Sequence, residues 1–148
     1  MRNTSKGKFT PKNPQKYIGT NINKIIYRSS WELSLMQACD THPYILQWAS
    51  EAIKIPYKHP ITGKYTMYVP DFLIVYADKK LVQHCEMIEV KPEKEVFASG
   101  YIPKTQNEKI VQAINFAKFA AATLFCKKRG WHFRVMTERN LFAYSKKM

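Results

Sequence analysis

The chain has 148 residues, 45% of them hydrophobic and 14% aromatic, which suits one domain with a real core and excludes wholesale disorder. Its 24 Lys+Arg against 11 Asp+Glu give a formal net charge of +13, pointing to a polyanionic partner, nucleic acid before a membrane surface. Its longest apolar stretch, residues 119–126, is too short to span a bilayer, and Cys39, Cys85 and Cys126 lack zinc-type spacing with the histidines, so we expect reduced core thiols of a cytoplasmic protein.

Residues 1–28 are basic and turn-rich, with Lys8, Lys12, Lys16 and Arg28 among their cations and no acid before Glu32. We expect an arm lying along DNA phosphates, with Phe9, Tyr17 and Tyr27 anchoring it or stacking on a base; the alternative is a solvated tail. The rest, residues 29–148, is expected to form the main domain. The first residues hold no apolar stretch, so no secretory leader is expected.

Ser29 with Glu32 three residues on is a capping-box pattern, and predicts a helix running to about Cys39. Capping accounts for Glu32 locally; a sharper reading turns it towards the acids described below. His42-Pro43 ends the helix. Residues 44–48 form a short apolar segment packed on the core. Residues 52–57 alternate as a half-buried strand, residues 59–64 read as a hairpin turn, and residues 65–69 alternate again. Pro70 then marks a bulge or a sheet edge.

The stretch 70–91 organises the chain. It reads as two strands around a polar break at Asp78, Lys79 and Lys80, with Asp71 at one end and Glu89-Val90-Lys91 at the other. Residues two apart on a strand share a face, so Glu89 and Lys91 do, while Glu86 points the other way. An antiparallel hairpin with an odd loop centred on Lys80 sets Asp71 directly across from Glu89, about 4.5–5.5 Å apart at Cβ. A loop one residue longer or shorter sends Asp71 to the other face, unless a bulge corrects it. Two such carboxylates repel unless something neutralises them, and a hard cation such as Mg²⁺ does so with one or two carboxylates plus waters. Lys91 beside them would orient a water or stabilise phosphate charge. The bland alternative is a surface hairpin with a scattered ion pair.

Residues 104–128 carry Ile110, Ala113, Ile114, Ala117, Ala121 and Leu124 at helical spacing, bounded by Pro103 and Gly130. Lys109, near the start of that helix, is a candidate phosphate contact. Residues 131–137 alternate as a last strand, and the tail is basic (Lys146, Lys147). The order of elements predicts an α/β fold, a mixed β-sheet flanked by helices.

Glu32 on a first helix, Pro70-Asp71 at a strand bend and Glu89-Val90-Lys91 on the next strand together resemble the PD-(D/E)xK nuclease superfamily, in its helix-acid branch of phage Holliday-junction resolvases and TnsA. Gly7-Lys8-Phe9, Pro11-Lys12-Asn13, Lys16-Tyr17, Ile26-Tyr27-Arg28-Ser29, Trp31-Glu32, Trp48, Ser50-Glu51, Ile55-Pro56-Tyr57 and residues 133–138 are similar to the head-completion nuclease family of T-even-like tailed phages. The resemblance implies a PD-(D/E)xK restriction-endonuclease-like core and a Mg²⁺-dependent DNA endonuclease, with Mn²⁺ a possible substitute. It implies catalytic roles for Glu32, Asp71, Glu89 and Lys91, and metal ligation by Asp71, Glu89, the Val90 carbonyl and Glu32. The substrate would be double-stranded or branched DNA, the partners portal or neck proteins, and the location the virion or the host cytoplasm. Rival readings are a non-catalytic DNA-binding head or neck component, a dimeric junction resolvase, and a binding module with no site.

Overall fold

The structure is a computed structural model and describes residues 6–92 and 102–137; the expectations for residues 93–101 and for the basic tail lie outside the described residues. The elements run β1 (Gly7–Lys8), β2 (Ile26–Tyr27), α1 (Ser30–Thr41), β3 (Ile45–Ser50), β4 (Ile55–Lys58), β5 (Tyr65–Tyr68), β6 (Phe72–Ala77), β7 (Gln83–Val90), α2 (Gln106–Lys127) and β8 (His132–Met136). The main sheet has the order β3-β6-β7-β8. Its first three strands are antiparallel, and β8 lies parallel to β7. A parallel neighbour needs a crossover, and α2 lies within it. The expected mixed sheet with flanking helices is therefore present.

Strand alternation divides the core in two. Phe72, Ile74, Ile88 and Val90 turn towards Leu35, Met36 and Cys39 of α1. Leu73 and Met87 turn the other way, towards Ala122 and Cys126 of α2 and towards Ile55, Tyr57 and Tyr68. The β4–β5 hairpin thus forms a separate two-stranded sheet on the α2 side. Its turn is the expected one: Gly63 adopts φ +71° and donates its N–H to the His59 carbonyl at 2.8 Å. The β6–β7 turn is held by Asp78, whose Oδ1 accepts from Lys80 N at 2.8 Å and Val82 N at 3.0 Å. Asp78 Oδ2 meets His84 Nε2 at 2.8 Å, and Leu81 takes φ +64°.

Two sequence expectations change. Residues 44–48 are more than a packed segment: they begin β3, whose alternation is masked by a register shift between Ile45 and Gln47. On α2 the buried positions are Ala122 and Cys126, while Leu124 is 54% exposed. Small side chains let the helix approach the sheet, with Cys126 Sγ 3.9 Å from Met87 Sδ. Periodicity cannot choose a face within residues 119–126, which are apolar on nearly every side. Residues 6–28 lie against the domain through Phe9, Tyr17 and Tyr27, the aromatics expected to anchor them. Phe9 and Ile25 are buried in the α1-side core around Trp48, and Phe9 N donates to Ile25 O at 2.8 Å. All three cysteines are free, with Cys39 and Cys126 buried as expected.

Buried Asp40 fastens this segment to α1. Its two carboxylate oxygens accept from Lys12 N at 2.8 Å and Asn13 N at 2.9 Å. Replacing Asp40 by Ala strands both donors, so Asp40→Ala should destabilise the fold by about 3 kcal/mol in urea denaturation.

Candidate active site

The β6–β7 register pairs Phe72 with Ile88 and Ala77 with Gln83, centred on Lys80 as the sequence predicts. One further step outward sets Asp71, in the bend before β6, across from Glu89. Asp71 Oδ2 accepts from Val90 N at 2.8 Å. Glu89 Oε1 accepts from the Tyr68 hydroxyl at 2.8 Å, and Lys91 Nζ lies 3.9 Å from Glu89 Oε2. Lys91 is itself held by its N–H, which donates to the Met136 carbonyl at 2.9 Å. The Glu89 and Lys91 side chains are 14% and 20% exposed, enclosed yet reachable from solvent.

This placement makes the acids hard to ionise. Burial, then the charge of Glu89, pushes Asp71 up to about 8, against the pull of the Val90 N–H. Burial also raises Glu89, opposed by the Tyr68 hydroxyl and by the Lys91 and Lys118 ammonium groups. Two adjacent oxygen-donor side chains that cannot both stay charged at neutral pH fit a hard divalent cation, which would restore both as anions. Among the described residues no three His, Cys, Asp or Glu side chains gather as a metal-binding group. Asp71 and Glu89 are the two carboxyl groups that could hold a cation here.

Glu32 does not join that pair as a third ready ligand. Its N–H donates to Ser29 Oγ at 3.2 Å, the predicted cap, while its carboxylate accepts from Arg28 N at 3.3 Å and Ser29 Oγ at 3.4 Å. It is buried at the start of α1, and its charge still raises the Asp71 pKa, which places it at the edge of the site. Val90 meets the site through its N–H.

Of the predicted DNA contacts, Arg28 lies nearest the acids, with its Nε 3.1 Å from Glu51 Oε1. Glu51 in turn donates its N–H to the Asp71 carbonyl at 3.0 Å. Lys16 donates to the His42 carbonyl at 2.9 Å, and the Lys12 backbone is held by Asp40. Both sit at the α1 end that leads into β3, where Ile45 pairs with Tyr76, roughly 17 Å along β6 from Asp71. Lys8 and Lys109 are exposed, on β1 and on the first turns of α2. The sequence reading missed Tyr68, Lys118 and Glu51. Tyr68 was visible only as one aromatic of an alternating strand three residues before Asp71. Lys118 reaches the site from α2, its Nζ 5.6 Å from the Tyr68 ring centroid.

A mixed sheet that sets an acid at a strand bend beside an E-x-K strand is the arrangement of a PD-(D/E)xK nuclease. The chain belongs to the family described as TnsA-like endonuclease N terminal, whose model matches residues 42–138. That match spans Asp71, Glu89 and Lys91 and begins after Glu32. The chain is also 34% identical, over 145 residues and 93% of both sequences, to the head completion nuclease of Enterobacteria phage T4. It is thus an endonuclease of phage type, and the recognition drawn from its motifs holds.

The Asp71 pKa carries a stability consequence. Asp71 ionises near 3.8 when unfolded and near 8 when folded, so its contribution is fully present below about pH 4 and is lost as pH rises through 8. Asparagine stays neutral and can still accept from Val90 N. With chelator present, Asp71→Asn should therefore be more stable than the parent at pH 8, by about 2 kcal/mol in denaturant titrations. The gain should vanish towards pH 4.

Proposed function

We propose that this chain hydrolyses phosphodiester bonds of DNA at the Asp71–Glu89–Lys91 centre, with Mg²⁺ as its cofactor and Mn²⁺ able to replace it. The observation that carries the reading is the facing pair of buried carboxyl groups with one ammonium beside them. Asp71 and Glu89 would hold the cation, with the Val90 carbonyl and, at the edge, Glu32 completing its surroundings. The bound ion would supply Lewis-acid charge to the phosphate and lower the pKa of a water. Lys91, fixed through its backbone, would stabilise negative charge on the phosphate oxygens or orient the attacking water. Tyr68 keeps one Glu89 oxygen aligned, and Lys118 adds positive charge behind it.

The name of the T4 relative, a head completion nuclease, supports a role late in phage assembly on packaged or branched DNA. The portal or neck would be its neighbours, and the virion or host cytoplasm its location. Residues 29–148 would then be the nuclease domain, with residues 1–28 adding phosphate contacts through Lys8, Lys12, Lys16 and Arg28, and Lys109 adding one from α2. Binding through these cations would be salt-dependent and indifferent to sequence.

Incubation with linear, nicked, gapped and branched DNA, in Mg²⁺ or in EDTA, tests this directly. Cleavage should need the metal. Asp71→Ala and Lys91→Ala should each lower cleavage by about 10²-fold or more while DNA binding persists. Full activity in either variant rules the site out. Tyr68→Phe should raise the Mg²⁺ concentration for half-maximal activity by roughly tenfold, with kcat at saturating Mg²⁺ little changed.

A further inference from the structure

We propose that the outer face of the β4–β5 hairpin is a platform for an unpaired DNA strand leading into the cutting centre. The preferred substrate is then DNA with a single-stranded stretch beside the cleaved bond. The register sets Pro56 against Met67 and Lys58 against Tyr65. Ile55, Tyr57 and Tyr68 take the inner face and are buried. The outer face is left open, with Tyr65 76% and Met67 58% exposed. Lys54 precedes the hairpin and Lys64 stands at its turn, both exposed, and residues 52–70 contain no Asp or Glu.

An exposed aromatic ring and thioether flanked by cations, on an acid-free ribbon, match the chemistry of a single strand. Bases stack on the apolar side chains while phosphates meet the lysines. A duplex hides its base faces and would leave Tyr65 and Met67 idle. An apolar protein surface would leave the three lysines without partners. The ribbon is also joined to the site, since Tyr68 at the end of β5 hydrogen-bonds Glu89 and Asp71 follows three residues later. Tyr65 is six residues before Asp71, about 20 Å at strand spacing, or about six nucleotides at stacked spacing. The inference takes Asp71 and Glu89 as the cutting centre, but its binding test requires no cutting.

The full chain is titrated in EDTA into three fluorescein-labelled probes: a single strand of about 15 nucleotides, a blunt duplex of equal length, and that duplex with a single-stranded tail. The single strand and the tailed duplex should bind more tightly than the blunt duplex. Tyr65→Ala with Met67→Ala should weaken single-strand binding by about tenfold or more and leave the blunt duplex unchanged. Lys58→Ala should reduce the salt slope for the single strand by about 0.7. Tyr44→Ala, an exposed aromatic outside the hairpin, should change nothing. The proposal is overturned if the double variant binds the single strand like the parent, or loses single-strand and duplex affinity equally. Persistent cleavage by Asp71→Ala would instead overturn the cutting centre and leave the binding result standing.

Discussion

Two carboxyl groups facing each other across a pair of strands, largely out of water, oppose folding, and the structure is built to hold them there nonetheless. Asp71 is caught by the Val90 N–H and Glu89 by the Tyr68 hydroxyl. Lys91 and Lys118 set positive charge close to Glu89. The cores on the two sides of the sheet supply the stability that such a pair consumes. This is the usual bargain at a functional site, where local electrostatic strain is carried by packing elsewhere.

The acidic pair was legible because a hairpin is arithmetic. Odd loop length and strand parity place Asp71 and Glu89 together before any tertiary contact is known. Glu86 followed from the same parity, and it meets Tyr76 and Arg134 on the other face. Helix α1 was legible through its cap. Strand β3 was not, because a bulge hides its alternation, and the buried stripe of α2 was not, because Ala122 and Cys126 lie in the stretch 119–126, where apolar residues run all round the helix. Tyr68 and Lys118 lie outside the motif and reach the acids only through the fold, from the hairpin and from α2. Glu32 shows the limit of local patterns: the cap predicted for it forms, and its charge is nevertheless felt at Asp71.

The positive charge of the chain is not spread as the sequence order suggested. Lys16 serves the end of α1, and Arg28 is engaged with Glu51. Cations near the N-terminus that look like one phosphate-binding run are thus divided between the two ends of the sheet. The hairpin beside the acids carries fewer lysines, but none is balanced by an acid of its own ribbon. Proximity to Asp71, rather than density of charge along the chain, separates these groups.

The turn held by Asp78 lies at the opposite end of β6 from Asp71, yet it decides how many residues separate the two strands. Its carboxylate ties Lys80, Val82 and His84 into one loop geometry. The facing of Asp71 and Glu89 is therefore metered from a distance, much as the bolt at one end of a ruler sets the reading at the other. A change in the length of that loop would alter which side chain faces Glu89, however far it lies from any phosphate.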